Sequence, residues 1–305
     1  MSDPLAEVIG LLQPRVVLWK QIEGSGRWGL RFEANSDVNF GVATAGGCWL
    51  RCVGDPVPLA EGDFLLLSGP PAFTFSSDLG ADVVDGERAL AGVPDNHLRL
   101  GSGEGPVTRL LAGHFAIEPE NAHLLLDLLP TVVHLRAGTD GAGRIAKLLE
   151  LIGDEAGADR PGGSLVLSRL VEVMLVEALR SAPATLEHPP ANLLAGLNDP
   201  PVAAALHAIH ADVARPWTVA DLAAEARISR SVLAERFARR VGLTPIEYLL
   251  SWRMAIAKRA LRQGNQPIAE IARQIGYGST SAFSTAFARV TGSAPGRYAR
   301  RRTAE

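Results

Sequence analysis

The chain has 305 residues, 47% hydrophobic and 21% charged, with a formal net charge of −3, the balance of a globular protein with room for two domains. Its longest apolar runs, FLLLSGP and HLLLDLLP, are too short to span a bilayer, and MSDPLAEVIG lacks the basic flank and apolar stretch of a secretory signal, so a cytoplasmic setting with no membrane partner is expected. Two cysteines, Cys48 and Cys52, exclude a disulfide framework; four apart in a strand they would stand roughly 13 Å from each other, and both read as packing residues.

The small net charge conceals a division. Residues 196–305 hold 16 Lys+Arg against 8 Asp+Glu, whereas residues 1–195 hold 14 against 25. A basic C-terminal unit on an acidic body suits a polyanion-binding domain carried by a partner domain that does not bind polyanions.

From the N-terminal side, residues 15–115 break into short apolar runs: VVLWKQIE, GLRFEA, VNFGVATAG, GCWLRCVG, GDFLLLSG and PAFTFSS. Such runs, bounded by Gly, Pro and Asp, predict an antiparallel sandwich or barrel. Eight aromatic residues are available to line a pocket or to fill the core: Trp19, Trp28, Phe32, Phe40, Trp49, Phe64, Phe73 and Phe75. Because ligand sites are mostly apolar, Trp28, Phe40, Trp49, Phe64 and Phe73 are taken as the candidate effector pocket. Residues 81–105 read as a long polar excursion before the last strand, either covering a pocket mouth or loose.

The period then changes. NAHLLLDLLPTVVHL, GRIAKLLELIGDEA and SLVLSRLVEVMLVEAL predict amphipathic helices over 119–182, a connector that either packs on the barrel or offers its apolar surface to a homodimer contact. The Pro- and Ala-rich stretch 183–199 reads as a linker. His207 and His210 share a helix face at i, i+3, but with no third ligand nearby they read as ordinary helix residues. No metal-ligand cluster and no nucleophile–base set is visible, so no metal, cofactor or enzyme activity is expected.

Residues 200–305 contain a repeat. FARRVGLTP (237–245) returns as FARVTGSAP (287–295), an offset of fifty, while VADLAAEARIS (219–229) faces IAEIARQIGYGS (268–279) at an offset of forty-nine. The extra residue falls where Arg227-Ile228 faces Gly276-Tyr277-Gly278, which marks a turn. In each copy a short amphipathic helix leads to a serine, Ser229 or Ser279, able to cap the next helix. That second helix carries an apolar stripe (Leu233, Phe237, Val241; Phe283, Phe287, Val290) and ends at Gly242 or Gly292. Helix, tight turn, capped helix is the helix-turn-helix pattern. IEYLLSWRMAIAKRALRQG (246–264) predicts a connecting helix of roughly 25 Å, a spacer able to present two recognition helices to successive major grooves, which recur about every 34 Å.

Residues 200–302 resemble the DNA-binding domain of AraC/XylS-type transcriptional regulators. LAAEARISRSVLAERFARRVGLTPIEYL and IAEIARQIGYGSTSAFSTAFARVTGSAPGRYARR carry the resemblance, the latter close to the family phrase IAxxxGYxSxSxFxxxF. It implies base reading by Arg230, Ser231, Ala234 and Glu235 in the first copy, and by Thr280, Ser281, Ser284 and Thr285 in the second. Arginine can read guanine bidentately and glutamate can accept from cytosine, whereas the short hydroxyls reach either bases or phosphates. Ser229, Arg236, Arg239, Arg240, Ser279, Arg289, Arg300 and Arg301 suit phosphates, which position without specifying. Upstream, SGRWGLRFE (25–33), FGVATAGGCWLR (40–51), PLAEGDFLLLSGPPAF (58–73) and LLAGHFAIE (110–118) are similar to the cupin-type sensor domain of one branch of these regulators. Where cupin enzymes place a metal-binding histidine, Gly41 stands, and Phe73 occupies the later corner.

The expected architecture is therefore α+β: an antiparallel cupin-like barrel over 1–118, a helical connector over 119–182, a linker over 183–199, and an all-α double helix-turn-helix domain over 200–305. The expected function is a transcriptional regulator, an activator by resemblance, with double-stranded DNA and RNA polymerase as partners. A small-molecule effector and a homodimer complete the expectation. Two alternatives remain at this stage: control by a protein partner without any ligand, and a cupin enzyme fused to a DNA-binding domain.

Overall fold

The computed structural model describes residues 3–12, 15–91, 93, 97–101, 103–116, 126–156, 160–182 and 191–300. The chain divides into two units, one formed by Leu12–His188 and the other by Met1–Leu11 together with Pro189–Glu305.

The first unit is built on two sheets. Strands β1 (Arg15–Ser25), β3 (Val38–Ala45), β6 (Phe64–Ser68), β9 (His97–Gly101), β10 (Val107–Ala116) and β11 (Val132–Leu135) form one, in the order β11-β6-β3-β10-β1-β9. Strands β2 (Gly29–Phe32), β4 (Cys48–Arg51), β5 (Val57–Leu59), β7 (Phe73–Ser76) and β8 (Val84–Asp85) form the other, in the order β5-β4-β7-β2-β8. Most pairings are antiparallel; β9 on β1 and β8 on β2 are the parallel ones among the described residues. The core between the sheets holds Ile22, Leu30, Leu65, Leu67, Phe75 and Leu110. All five residues of β6 are buried, which is why that strand reads FLLLS rather than alternating: it is covered on both faces. This is the cupin-like domain the sequence predicts. Within the polar excursion lie β8, helix α2 (Gly86–Ala91) and β9.

One helix expectation is revised. TVVHL forms strand β11, antiparallel to β6 from Val132↔Leu67 to Leu135↔Phe64. Pro130 stops any helix ahead of it, and Val132-Val133 favour the pleated surface of a sheet edge. The connector segment therefore begins inside the sheet and becomes helical only with α3 (Asp140–Ala156) and α4 (Gly163–Arg180), which pack on each other. Asp63 fastens this strand. Its carboxylate accepts from the Ala60 and Ala137 N–H groups at 3.0 and 2.8 Å and meets the His134 ring at 2.8 Å. Burial pushes the Asp63 carboxyl up, but those hydrogen bonds outweigh it and hold the group below the usual carboxylate range.

The second unit is helical: α5 (Leu193–Leu197), α6 (Pro200–Ala211), α7 (Val219–Glu225), α8 (Arg230–Val241), α9 (Pro245–Gln263), α10 (Ile268–Gln274), α11 (Thr280–Thr291) and α12 (Pro295–Arg300). Helix α1 (Pro4–Leu12) precedes β1, yet Met1–Leu11 cluster with this unit. Glu7 Oε2 stands 2.7 Å from His210 Nδ1 on α6, and His210 Nε2 stands 2.7 Å from the Tyr248 hydroxyl on α9. The imidazole also lies against Trp252, ring centroids 4.3 Å apart. His210 is thus a core histidine with both ring nitrogens engaged. Burial pulls its pKa down and the Glu7 carboxylate opposes that pull, the net direction being downward.

Candidate nucleic-acid interface and effector cavity

The two helix-turn-helix copies are built by the same local chemistry. Ser229 accepts from the Val232 N–H at 3.3 Å to begin α8, and Ser279 accepts from the Ala282 N–H at 3.1 Å to begin α11. Gly242 and Gly292 end these helices in the left-handed region, at φ 87° and 70°. The one-residue difference sits in the turns. Arg227 takes φ 55° without being glycine, whereas the longer turn uses Gly276 at φ 83°, where a Cβ would collide with the Ala214 carbonyl. Helix α9 has 19 residues, about 28 Å at 1.5 Å per residue. It opens on a capping box between Thr244 and Glu247. The backbone N–H and hydroxyl of Thr244 hold the exposed Glu247 carboxyl below its usual range.

Exposure follows the repeat residue by residue. Positions 231–240 and 281–290 share one sequence of exposed, half-buried and buried side chains. Leu233, Phe237, Phe283 and Phe287 are fully buried, so the opposite faces point outward. Arg230, Ser231, Glu235, Thr280, Ser281 and Thr285 are exposed, and Ala234 and Ser284 are half-buried beside them. Ser229, Ser279, Arg239, Arg289 and Arg300 are also exposed, while Arg301 lies outside the described residues. Glu235 pairs with Arg239 at 3.6 Å across one helical turn, both side chains mostly in water, a contact weak enough to exchange for another.

Two of the arginines expected to serve phosphates are paired within the unit. The buried Asp199 carboxylate caps α6 and accepts from Arg236 Nε at 2.8 and 2.7 Å and from Arg240 Nε at 3.3 Å. These are charge-assisted contacts that fix α8 against the start of α6. Nothing local in the sequence marks them, because the partners are 37 and 41 residues apart. Arg253, on α9, is likewise turned to structure: it donates to the Val213 and Arg215 carbonyls at 2.9 and 2.8 Å.

In the first unit, a cavity of about 400 Å³ opens between the sheets, a size within the range of small-molecule sites. Ile22, Leu65, Leu67, Phe32, Phe73 and Phe75 form its apolar wall, and Leu90 and Ala91 of α2 approach it. Lys20, Asn35, Asp37, Asn39, Glu87 and His114 supply its polar rim. Of the five aromatic residues taken as the pocket, Phe40 and Phe73 line this cavity, and Trp28, Trp49 and Phe64 do not. Trp28 belongs to the core cluster. Phe64 is one residue out of phase with the cavity-lining Leu65 and Leu67, so the pleat sends it to the other face. Those faces follow from the strand register, which composition does not carry. Gly41, between Leu65 and Ala112 in the sheet, offers no ligand atom. Among the described residues no group of three or more His, Cys, Asp or Glu is placed to hold a metal ion. Cys48 is buried, its thiol pushed up to about 12 by desolvation, and Cys52 is half-buried; both are free. No helix among the described residues is long and apolar enough to cross a membrane.

Comparison with known proteins agrees with both halves of this architecture. Residues 3–184 match the cupin family, and residues 222–301 match the helix-turn-helix domain family. A putative AraC-like transcription regulator of Streptomyces lividans is 43% identical over 97% of both chains. A second, from Streptomyces antibioticus, is 43% identical over 97% of this chain and 98% of that one. Among solved structures, the DNA-binding domain of AdpA, a global transcriptional factor, in complex with a target DNA, is 29% identical, covering 35% of this chain and 95% of that chain with a TM-score of 0.33. The chain belongs to the AraC-like transcription regulators, with a helix-turn-helix DNA-binding domain joined to a cupin-like domain.

Proposed function

We propose that this regulator reads promoter DNA with the N-terminal faces of α8 and α11 and activates transcription when a small molecule occupies the cavity of its cupin-like domain. Arg230 and Glu235 then make the discriminating contacts, and the hydroxyls of Thr280, Ser281 and Thr285 reach bases or phosphates. Arg239 and Arg289 supply sequence-independent affinity. The observation that carries the reading is the matched exposure of the two capped helices: each buries an apolar stripe, Leu233 and Phe237 in one and Phe283 and Phe287 in the other, and leaves its first turns to solvent. The effector acts by preferring one arrangement of the protein, and shifts the balance only by its difference in affinity for the two.

Selection of bound duplexes from a random library, followed by titration of the winning site, tests the DNA half. Arg230→Ala relaxes preference at one base position at a cost of about 1–3 kcal/mol, whereas Arg239→Ala weakens every sequence alike. Uniform loss in both variants would defeat the assignment. Association as a homodimer is part of the same proposal, supported by the exposed apolar side chains of Leu165 and Val173 on α4, 61% and 52% accessible.

A further inference from the structure

The cavity has a shape and a charge that narrow what it can hold. Phe32 and Phe73 stack with ring centroids 5.0 Å apart and planes 19° from parallel, and Phe75 meets Phe73 edge-on at 5.8 Å. Facing them across the inter-sheet space are Ile22, Leu65 and Leu67. A wall of aromatic faces opposite a flat aliphatic sheet favours a planar ring system, because rings gain from offset and edge contacts beyond simple area burial.

The polar groups gather on one side. His114 on β10 pairs in register with Asn39 on β3, and Lys20 on β1 pairs with Ala112, two residues along. Asn39 donates to Asn35 at 3.0 Å, and Asp37 stands 4.0 Å from His114. The rim thus offers two amides, an imidazole, the Asp37 and Glu87 carboxylates and the Lys20 ammonium. Two carboxylates stand against the one ammonium of Lys20, so acidic groups outnumber it in this mouth. A ligand carboxylate in this mouth would face like charge, while a hydroxyl, amide or ammonium would find acceptors.

We infer that the effector cavity takes a planar aromatic molecule whose polar head is neutral or cationic, and that it rejects the corresponding carboxylic acid. This rests on the small-molecule reading proposed above. The test is calorimetric titration of the full chain with three probes on one ring system: 2-naphthol, 2-naphthylmethylamine and 2-naphthoate. The alcohol and the amine bind, and naphthoate binds about tenfold more weakly or worse. Asp37→Asn narrows the gap between amine and acid. Ala112→Leu, which fills the cavity from β10, abolishes binding of all three while duplex DNA affinity is retained; Gly41→Leu, whose Cβ would lie 3.9 Å from the Phe75 ring, does so independently. Naphthoate binding as tightly as the amine overturns the charge argument and leaves the cavity reading standing. Failure of all three probes while n-decanol binds in an Ala112-dependent way overturns the aromatic argument alone. If no probe binds, or if binding survives both filling variants, the cavity reading falls as well.

Discussion

Replacing Arg236 by alanine separates its two possible employments, anchor or phosphate contact. Arg236 Nε contacts both carboxylate oxygens of Asp199, a group whose side chain is only 3% exposed. A hydrogen bond involving a charged group contributes about 1.5–3 kcal/mol, and the guanidinium is 36% exposed, so screening places the loss near the lower part of that range, about 2 kcal/mol. Arg240 and the α6 N-terminus still engage Asp199, which limits the damage to a partly satisfied carboxylate rather than an orphaned one. For a unit of this size the loss lowers the melting temperature by about 6–10 °C. The DNA arm of the experiment measures affinity for a random duplex across a range of salt concentrations. An anchoring Arg236 leaves the slope of log K against log salt unchanged in the variant, whereas Arg239→Ala reduces it by about 0.9 and leaves the melting temperature alone. A slope that drops in Arg236→Ala with no thermal cost would refute the anchoring role.

Three further outcomes are expected. The Asp63 carboxyl sits below its usual range, so its contribution is complete above the unfolded value of about 3.9 and is lost as pH falls through the lower folded value; Asp63→Asn flattens the acid-unfolding curve below about pH 4 relative to the native chain. His210 is held neutral by burial, so the unfolded chain binds its proton first and stability declines as pH falls below about 6.5; melting temperatures from pH 8 to pH 5 show this decline, and His210→Asn reduces it. Val173→Glu together with Leu165→Glu halves the solution mass measured by sedimentation while leaving the circular dichroism spectrum intact, if α4 is the dimer contact.

The features legible in the sequence were those set by near neighbours. Ser229 and Ser279, Gly242 and Gly292, and the apolar stripes between them each depend on residues within a few positions, so the repeat displays both capped helices directly. The features missed depend on distant partners. Arg236 and Arg240 look like free surface cations until Asp199 is brought beneath them. Val132–Leu135 looks like part of a helical stretch until β6 offers it an edge. Trp28 and Phe64 are as aromatic as Phe73, but only the pleat and the register decide which rings meet the cavity. Single residues in alternating strands change sides with a one-residue shift, and composition is blind to that.

The pairing of Glu7 with His210 spans 203 residues, and this fixes an order of events during synthesis. Helix α1 leaves the ribosome well before α6, and the His210 that Glu7 meets is not made until some 200 residues later, about 10–40 s at ordinary translation rates. The sheets of the cupin-like domain can close in that interval; α1 cannot dock. Helix α1 is therefore seated late, and a fragment that lacks it leaves His210 without the Glu7 carboxylate.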